Sequence, residues 1–220
     1  MDNDNKKKTI DTVVSNIDKN YDALADVIET EYGFIALEPV RYEICICLIC
    51  GLNQAALTLT NHLLESAFKK FLILTHAKEN GNCERDITNV FDEATKLYAD
   101  RNLKVTIDIS CSKGLINKDE KKLLHYFREK YRNGFTHADP TKMFHSDPIS
   151  MTVVNVDDRS TPEELLSKIY GKPNAEVNPQ TALILQGLLQ SITADVYAKD
   201  YFLKVDEIIR NIIVRMHDSM

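Results

Sequence analysis

VRYEICICLICGLNQAALTLTNHLLESAFKKFLILTHAKENGN, residues 40–82, is the stretch on which the fold turns. It follows Pro39, and from Ile44 to Cys50 every residue is apolar, which marks a segment lying at the centre of a core. Beyond Gly51 the pattern becomes amphipathic, with Leu52, Ala56, Leu59, Leu63, Ala67 and Phe71 recurring at three- and four-residue spacing. The spacing predicts two helices, or one helix kinked at Gly51, stopped at Asn80-Gly81 where glycine and asparagine favour helix termination. Ile44, Ile46, Leu48, Leu59 and Leu63 are expected to be buried against Leu123 and Phe127.

Toward the N-terminus, Ile10, Val13, Val14, Ile17, Tyr21, Leu24, Val27 and Ile28 fall on one stripe of a helix expected to end near Gly33. Downstream, a helix is expected over Asn89–Ala99, then an irregular or short helical stretch to Gly114. NKDEKKLLHYFREKYRNGF, from Asn117, carries a buried stripe of Leu123, Leu124, Phe127, Tyr131 and Phe135. After His137, ADPTKMFHSDPIS reads as loop, because each proline drives its predecessor out of the helical region. SMTVVNV reads as a short strand without an evident partner. Thr161 with Glu164 fits a capping box, Pro162 takes the first helical position and Gly171 closes that short helix. A long helical region then starts after Asn178-Pro179, with a stripe of Leu183, Leu185, Leu188, Leu189, Ile192, Val196, Val205, Ile208, Ile209 and Ile212.

The composition agrees with this reading. The 220 residues are 44% apolar, with only seven glycines, six prolines and no tryptophan, which favours helices joined by short connections. A single all-α domain is expected over 1–220, with no repeat and no low-complexity linker. The net charge of −6 argues against non-specific coating of nucleic acid, which depends on neutralising many phosphates, but leaves room for a local basic groove. The polar start MDNDNKKKTI and the lack of about 20 uncharged apolar residues in a row predict a cytoplasmic protein without a membrane span. Five cysteines, an odd number, fit buried thiols in a reducing compartment.

Cys45, Cys47 and Cys50 resemble a metal-ligand cluster only at first sight. They lie in an apolar helical run with no second half-site, so they read as core thiols, and no metal or other cofactor is expected. The sequence holds no glycine-rich phosphate loop, no Gly-x-Ser-x-Gly and no His-Glu-x-x-His. His62, His76, His125, His145 and His217 have no companion ligands at recognisable spacing.

The chemistry-bearing segment is YRNGFTHADP, residues 131–140, and the helix that leads into it. From Lys113 to Arg132 seven cations stand against three anions, a local balance of +4 in an acidic chain. In a regular α-helix five steps of roughly 100° would set Arg132 and His137 about 140° apart. A bend at Gly134, or a helix end before Asp139-Pro140, is therefore expected, bringing His137 toward the side that carries Arg132. A guanidinium grips phosphate with a rigid fork of donors, and an imidazole exchanges a proton near neutral pH. Phosphate binding with proton transfer is the chemistry of RNA cleavage.

RNGFTH resembles the signature of the HEPN family: Arg, a polar residue directly after it, very often Asn, and His four to six residues beyond. Arg132, Asn133 and His137 match it. The apolar helix pair ICLICGLNQAALTLTNHLLESAFKKFL and the basic GLINKDEKKLLHYFREKYRN that enters the motif extend the resemblance over about 40–140, as a HEPN-like helical core. Residues about 160–218 then form a C-terminal helical extension. The resemblance implies a helical bundle that dimerises with two motifs facing each other, and in many members a metal-independent endoribonuclease, common in toxin–antitoxin and antiviral defence systems with an antitoxin or regulatory partner protein. Some toxin members carry a Tyr two residues after the His, which a partner nucleotidyltransferase modifies. Here that position is Asp139, so this kind of silencing lacks its acceptor.

On this reading the substrate is single-stranded RNA. His137 is the general base on a ribose 2′-OH, Arg132 stabilises the charge developing on phosphorus, and Asn133 positions the phosphate or its catalytic neighbours. Arg128 and Lys130 steer the RNA backbone. Glu65 reads as a surface or core-edge ion pair. The competing expectation is a non-catalytic HEPN-like module for dimerisation, regulation or nucleotide binding, and an Arg132 guanidinium buried against a carboxylate would favour it.

Overall fold

The computed structural model describes residues 3–81, 86–136, 147–152, 161, 173, 175–178 and 183–218. In chain order these form α1 (Asn3–Asn20), α2 (Ala25–Glu29), α3 (Glu38–Ile49), α4 (Asn53–Asn80), α5 (Ile87–Tyr98), α6 (Leu103–Ser112), α7 (Lys118–Phe127), a π-helix (Arg128–Thr136), strands β1 (Ile149–Met151) and β2 (Ala175–Val177), and α8 (Leu183–Asp218). The fold is all-α, as the sequence predicts; sheet among the described residues is limited to the antiparallel β1–β2 ladder, with Ile149 opposite Val177 and Met151 opposite Ala175. Of the strand expected in SMTVVNV, residues 150–151 lie in β1 and residues 153–156 are outside the described residues; β1 has a partner that sequence reading missed, because three residues of Ala-Glu-Val carry no usable periodicity. The short helix expected between Thr161 and Gly171 lies almost wholly outside the described residues.

Helix α4 is the spine. At 28 residues it is about 42 Å long, and α3, α5, α6, α8 and the π-helix all pack on it. Its buried positions Ala56, Leu57, Thr60, Leu63, Leu64, Ala67, Phe68, Phe71 and Leu72 keep a helical phase throughout. Helix α3 starts with Pro39 in its first turn, and the break between α3 and α4 falls at Gly51, whose φ of +76° suits glycine. The carbonyls left over at the end of α3 are taken by α1: the Asn16 amide donates to Cys50 O at 3.1 Å, and Asn20 donates to Leu48 O and Ile49 O at 3.3 Å each. A Cβ on residue 51 would approach Asn16 Nδ2 to 2.6 Å. Gly51→Ala should therefore destabilise the protein by about 1–2 kcal/mol through the left-handed backbone alone, and more once Asn16 is displaced; an unchanged urea midpoint would contradict this.

Side-chain caps set the starts of α5, α6 and α7. Asp86 accepts from Thr88 N, Asn102 from Val105 N, and Asn117 forms a capping box with Glu120 ahead of α7. Glu120 also receives Arg215 of α8 in a forked pair at 2.8 and 2.9 Å, while the same guanidinium donates to Leu115 O. Burial pushes the Glu120 carboxyl up, but the Arg215 and Asn117 hydrogen bonds together with the Arg215 charge outweigh it and leave it below its usual range. A carboxyl depressed in the folded state adds stability that is present above its unfolded value of about 4.3 and is lost as pH falls through the folded value. Glu120→Gln should accordingly flatten the loss of stability on acidification from neutral pH; parallel pH–stability curves would show the pair to be inert.

One core cluster runs from Leu24 to Ile212, joining Ile44, Cys45 and Leu48 of α3, the α4 stripe, Leu124, Phe127 and Tyr131, and Ala194, Ala198, Tyr201, Phe202, Val205 and Ile209 of α8. Three expectations need correction. The first helix does not continue to Gly33: it breaks at Tyr21–Leu24, and α2 is a separate short helix. Ile46 is exposed, because α3 buries Arg41, Ile44, Cys45, Leu48 and Ile49, and Ile46 with Tyr42 lies on the opposite face. Leu188, Ile192 and Val196 of α8 are exposed as well, since the seam against α4 uses Ala194, Ala198 and Tyr201. No helix among the described residues is long and apolar enough to cross a membrane.

Candidate functional site

Helix α7 passes directly into the π-helix, so the chain entering the motif winds with i→i+5 hydrogen bonds from Arg128 to Thr136. The helix runs through Gly134, and the departure from α geometry comes six residues earlier, at Arg128; the alternative helix end before Asp139-Pro140 lies outside the described residues. π-helical winding stacks residues five apart and is found disproportionately at functional sites. His137, the predicted base, lies outside the described residues.

Arg132 and Asn133 are brought together with two carboxylates. Arg132 Nε donates to Glu65 Oε1 of α4 at 2.7 Å, and its Nη1 donates to Asn133 Oδ1 at 3.2 Å. The Asn133 amide donates to Glu129 Oε2 at 3.0 Å, and Asn133 itself is buried. The Arg132 and Glu65 side chains keep 23% and 29% of their exposure, so the pair sits at the rim of the core and remains within reach of solvent. Glu65 is thus the ion pair that the sequence predicts, and its partner is the motif arginine. Glu129 carried no sequence signal, because its role depends on facing Asn133 four residues on.

The basic helix is less cationic in space than in sequence. Lys113 pairs with Glu79, Lys121 with Asp108 at 2.7 Å, Arg128 with Glu129, and Arg132 with Glu65, so four of the seven cations are already countered. Arg128 is mostly covered, and its Nε–H is buried without an acceptor among the described residues. Lys130 places its ammonium over three tyrosine rings, at 4.9 Å from Tyr197, 5.6 Å from Tyr126 and 5.9 Å from Tyr131. His125 does find a companion: its Nε2 lies 3.1 Å from Asp108, whose carboxyl the Lys121 hydrogen bond holds below the usual range.

Tyr201 links the aromatic cluster to α4. Its ring lies 4.8 Å from Tyr131 and 4.9 Å from Phe127, its hydroxyl donates to Asn61 Oδ1 at 2.7 Å, and burial followed by Tyr131 and the Glu65 charge raises its pKa. Cys45 is packed in the core, where burial pushes its thiol up to about 11, and burial also raises Cys47. Both therefore stay un-ionised at neutral pH; Cys45 is the core thiol expected, whereas Cys47 and Cys50 are only half-buried. Among the described residues no group of three or more His, Cys, Asp or Glu side chains is arranged to hold a metal.

The geometry defines an all-α fold with a polar Arg-Asn-Glu cluster where an α-helix widens into a π-helix. Compared with known proteins, the chain matches no family model, no curated protein and no solved structure.

Proposed function

We propose that this chain is a metal-independent endoribonuclease of the HEPN type, acting as a homodimer on single-stranded RNA, of the kind that serves as a toxin or antiviral effector. The observation that carries the reading is the hold on Arg132. Glu65 fixes its Nε edge and Asn133 engages Nη1, so the guanidinium is oriented by its neighbours before any ligand arrives. Pre-oriented donors are what electrostatic stabilisation of a phosphorane requires, because no reorganisation is left for the moment of reaction. The π-helix supports the reading too, since such winding is found frequently at functional sites.

In this reaction His137 accepts the 2′-OH proton, the 2′-oxygen bonds to phosphorus, and the P–O5′ bond breaks as the leaving oxygen gains a proton. The products are a 2′,3′-cyclic phosphate and a 5′-OH. One protomer supplies little net positive charge, because Glu65 offsets Arg132, and a second copy of the motif across a two-fold axis deepens the positive groove. Light scattering should therefore report a dimer at micromolar concentration, and a monomer would remove the composite site. The activity test is direct: wild-type protein should cut single-stranded RNA in EDTA, leave cyclic-phosphate ends, and fail on a substrate with deoxyribose at the cut site.

The second reading, a non-catalytic HEPN-like dimerisation, regulatory or nucleotide-binding module, is favoured by the same Arg132–Glu65 pair, which lets the carboxylate serve as the arginine's permanent partner. Wild-type protein that binds nucleotide or a second copy of itself while leaving every RNA intact would select it.

A further inference from the structure

We infer that Tyr126, Lys130 and Tyr197 form a stacking subsite for single-stranded RNA, an inference that rests on the nuclease reading for its choice of ligand. Tyr126 of α7 and Tyr197 of α8 are exposed, 49% and 39% respectively, although each belongs to a helix that buries apolar residues nearby. Between them the Lys130 ammonium stands over both rings, and buried Tyr131 forms the floor, 6.3 Å from Tyr126 and 6.0 Å from Tyr197 between ring centroids. The floor is rigid, because Tyr131 rests on Phe127 at 5.8 Å and Tyr201 at 4.8 Å.

Two exposed tyrosine rings sharing one cation match the chemistry of a single strand, whose bases stack on aromatic rings while its phosphates meet lysine or arginine. A duplex hides its base faces and cannot use the rings. The seven-cation helix contributes little long-range attraction once its pairs form, so stacking is the contact that this surface can offer strongly. Asp200, whose charge acts on Tyr131, is the opposing feature and limits affinity for phosphate.

Fluorescence anisotropy with a short labelled 2′-O-methyl oligonucleotide, which cannot be cut, isolates binding from chemistry. Tyr126→Ala and Tyr197→Ala should each weaken binding roughly 5- to 150-fold, the range for losing one base–ring stack, whereas Tyr126→Phe and Tyr197→Phe should bind like wild type. Lys130→Gln should lower the slope of log affinity against log salt by about 0.7, and Asp200→Asn should tighten binding. Thermal melts of every variant confirm folding. Wild-type protein that does not bind the oligonucleotide, or folded alanine variants that bind as wild type does, would overturn the subsite. If binding falls as expected but wild type cuts no RNA, the subsite stands and the nuclease reading fails; if wild type cuts and the alanine variants bind and cut equally well, the subsite alone fails.

Discussion

Asp206→Ala should cost about 3–5 kcal/mol of folding stability, the scale for leaving a buried charge without its partner. Arg41 is 2% exposed and Asp206 4%. The Arg41 guanidinium donates to Asp206 at 3.2 Å, to Glu38 at 3.2 Å, and to the carbonyls of Val27 and Thr30. Arg210 adds a second guanidinium, 2.7 Å from the other Asp206 oxygen and 2.7 Å from Thr30 O, and both cations lie over the Tyr32 ring at 4.9 and 5.1 Å. Asp206 is the anion between two cations, so its loss sets them against each other where water is scarce. For a chain of this size the melting temperature should fall by roughly 6–20 °C. Asp206→Asn keeps an acceptor and should cost less. Arg41→Met with Asp206→Leu removes both charges and should recover most of the loss, because the desolvation penalty disappears with the pair. An Asp206→Ala protein within 1 kcal/mol of wild type would show that the network relaxes onto Glu38 or water.

The same network explains part of what sequence reading could not see. The stripe from Ile10 to Ile28 is periodic, yet the helix breaks after Asn20. The Asn20 amide is engaged with the end of α3, and the carbonyls of Val27 and Thr30 are captured by Arg41 and Arg210, so tertiary partners override a locally consistent pattern. A faint signal existed: Arg41 falls one turn before Ile44 and Cys45, and Asp206 lies between Val205 and Ile209, each in phase with its apolar stripe. A charge in phase with a core stripe asks for a buried partner. The helices around Gly51 were legible because an uninterrupted apolar run, a glycine and a new period coincide there, and Asn117 because the capping box is local. The phase of α8 was not, since hydropathy selects Leu188, Ile192 and Val196 whereas close approach to α4 selects Ala194 and Ala198. At the candidate site, Arg132 and Asn133 could be read from the motif alone. The π-helix could not, because i→i+5 winding has no composition of its own, and the tyrosines around Lys130 meet only after α8 folds back beside α7.

Arg132→Ala and His137→Ala should each lower RNA cleavage by about a hundredfold or more, the usual effect of removing a charge-stabilising donor or a general base. The loss must be separated from a loss of structure, and magnitudes allow it. A partly exposed ion pair such as Arg132–Glu65 contributes on the order of 1 kcal/mol or less to folding, so Arg132→Ala should leave the protein folded and melting near wild type. A hundredfold fall in rate corresponds to about 2.7 kcal/mol on the barrier, more than that pair can supply through stability. Arg132→Lys keeps the charge without the planar fork and should restore only part of the activity. Glu65→Gln keeps an acceptor for Nε while removing the countercharge. If Glu65 acts by orienting Arg132, this variant retains most of the cleavage, whereas Glu65→Ala, which lets the guanidinium swing, does not. Wild-type protein that cuts no RNA under any condition, or alanine variants that cut as well as wild type, would sink the nuclease reading and leave the Arg132–Glu65 pair as a structural contact of a binding module.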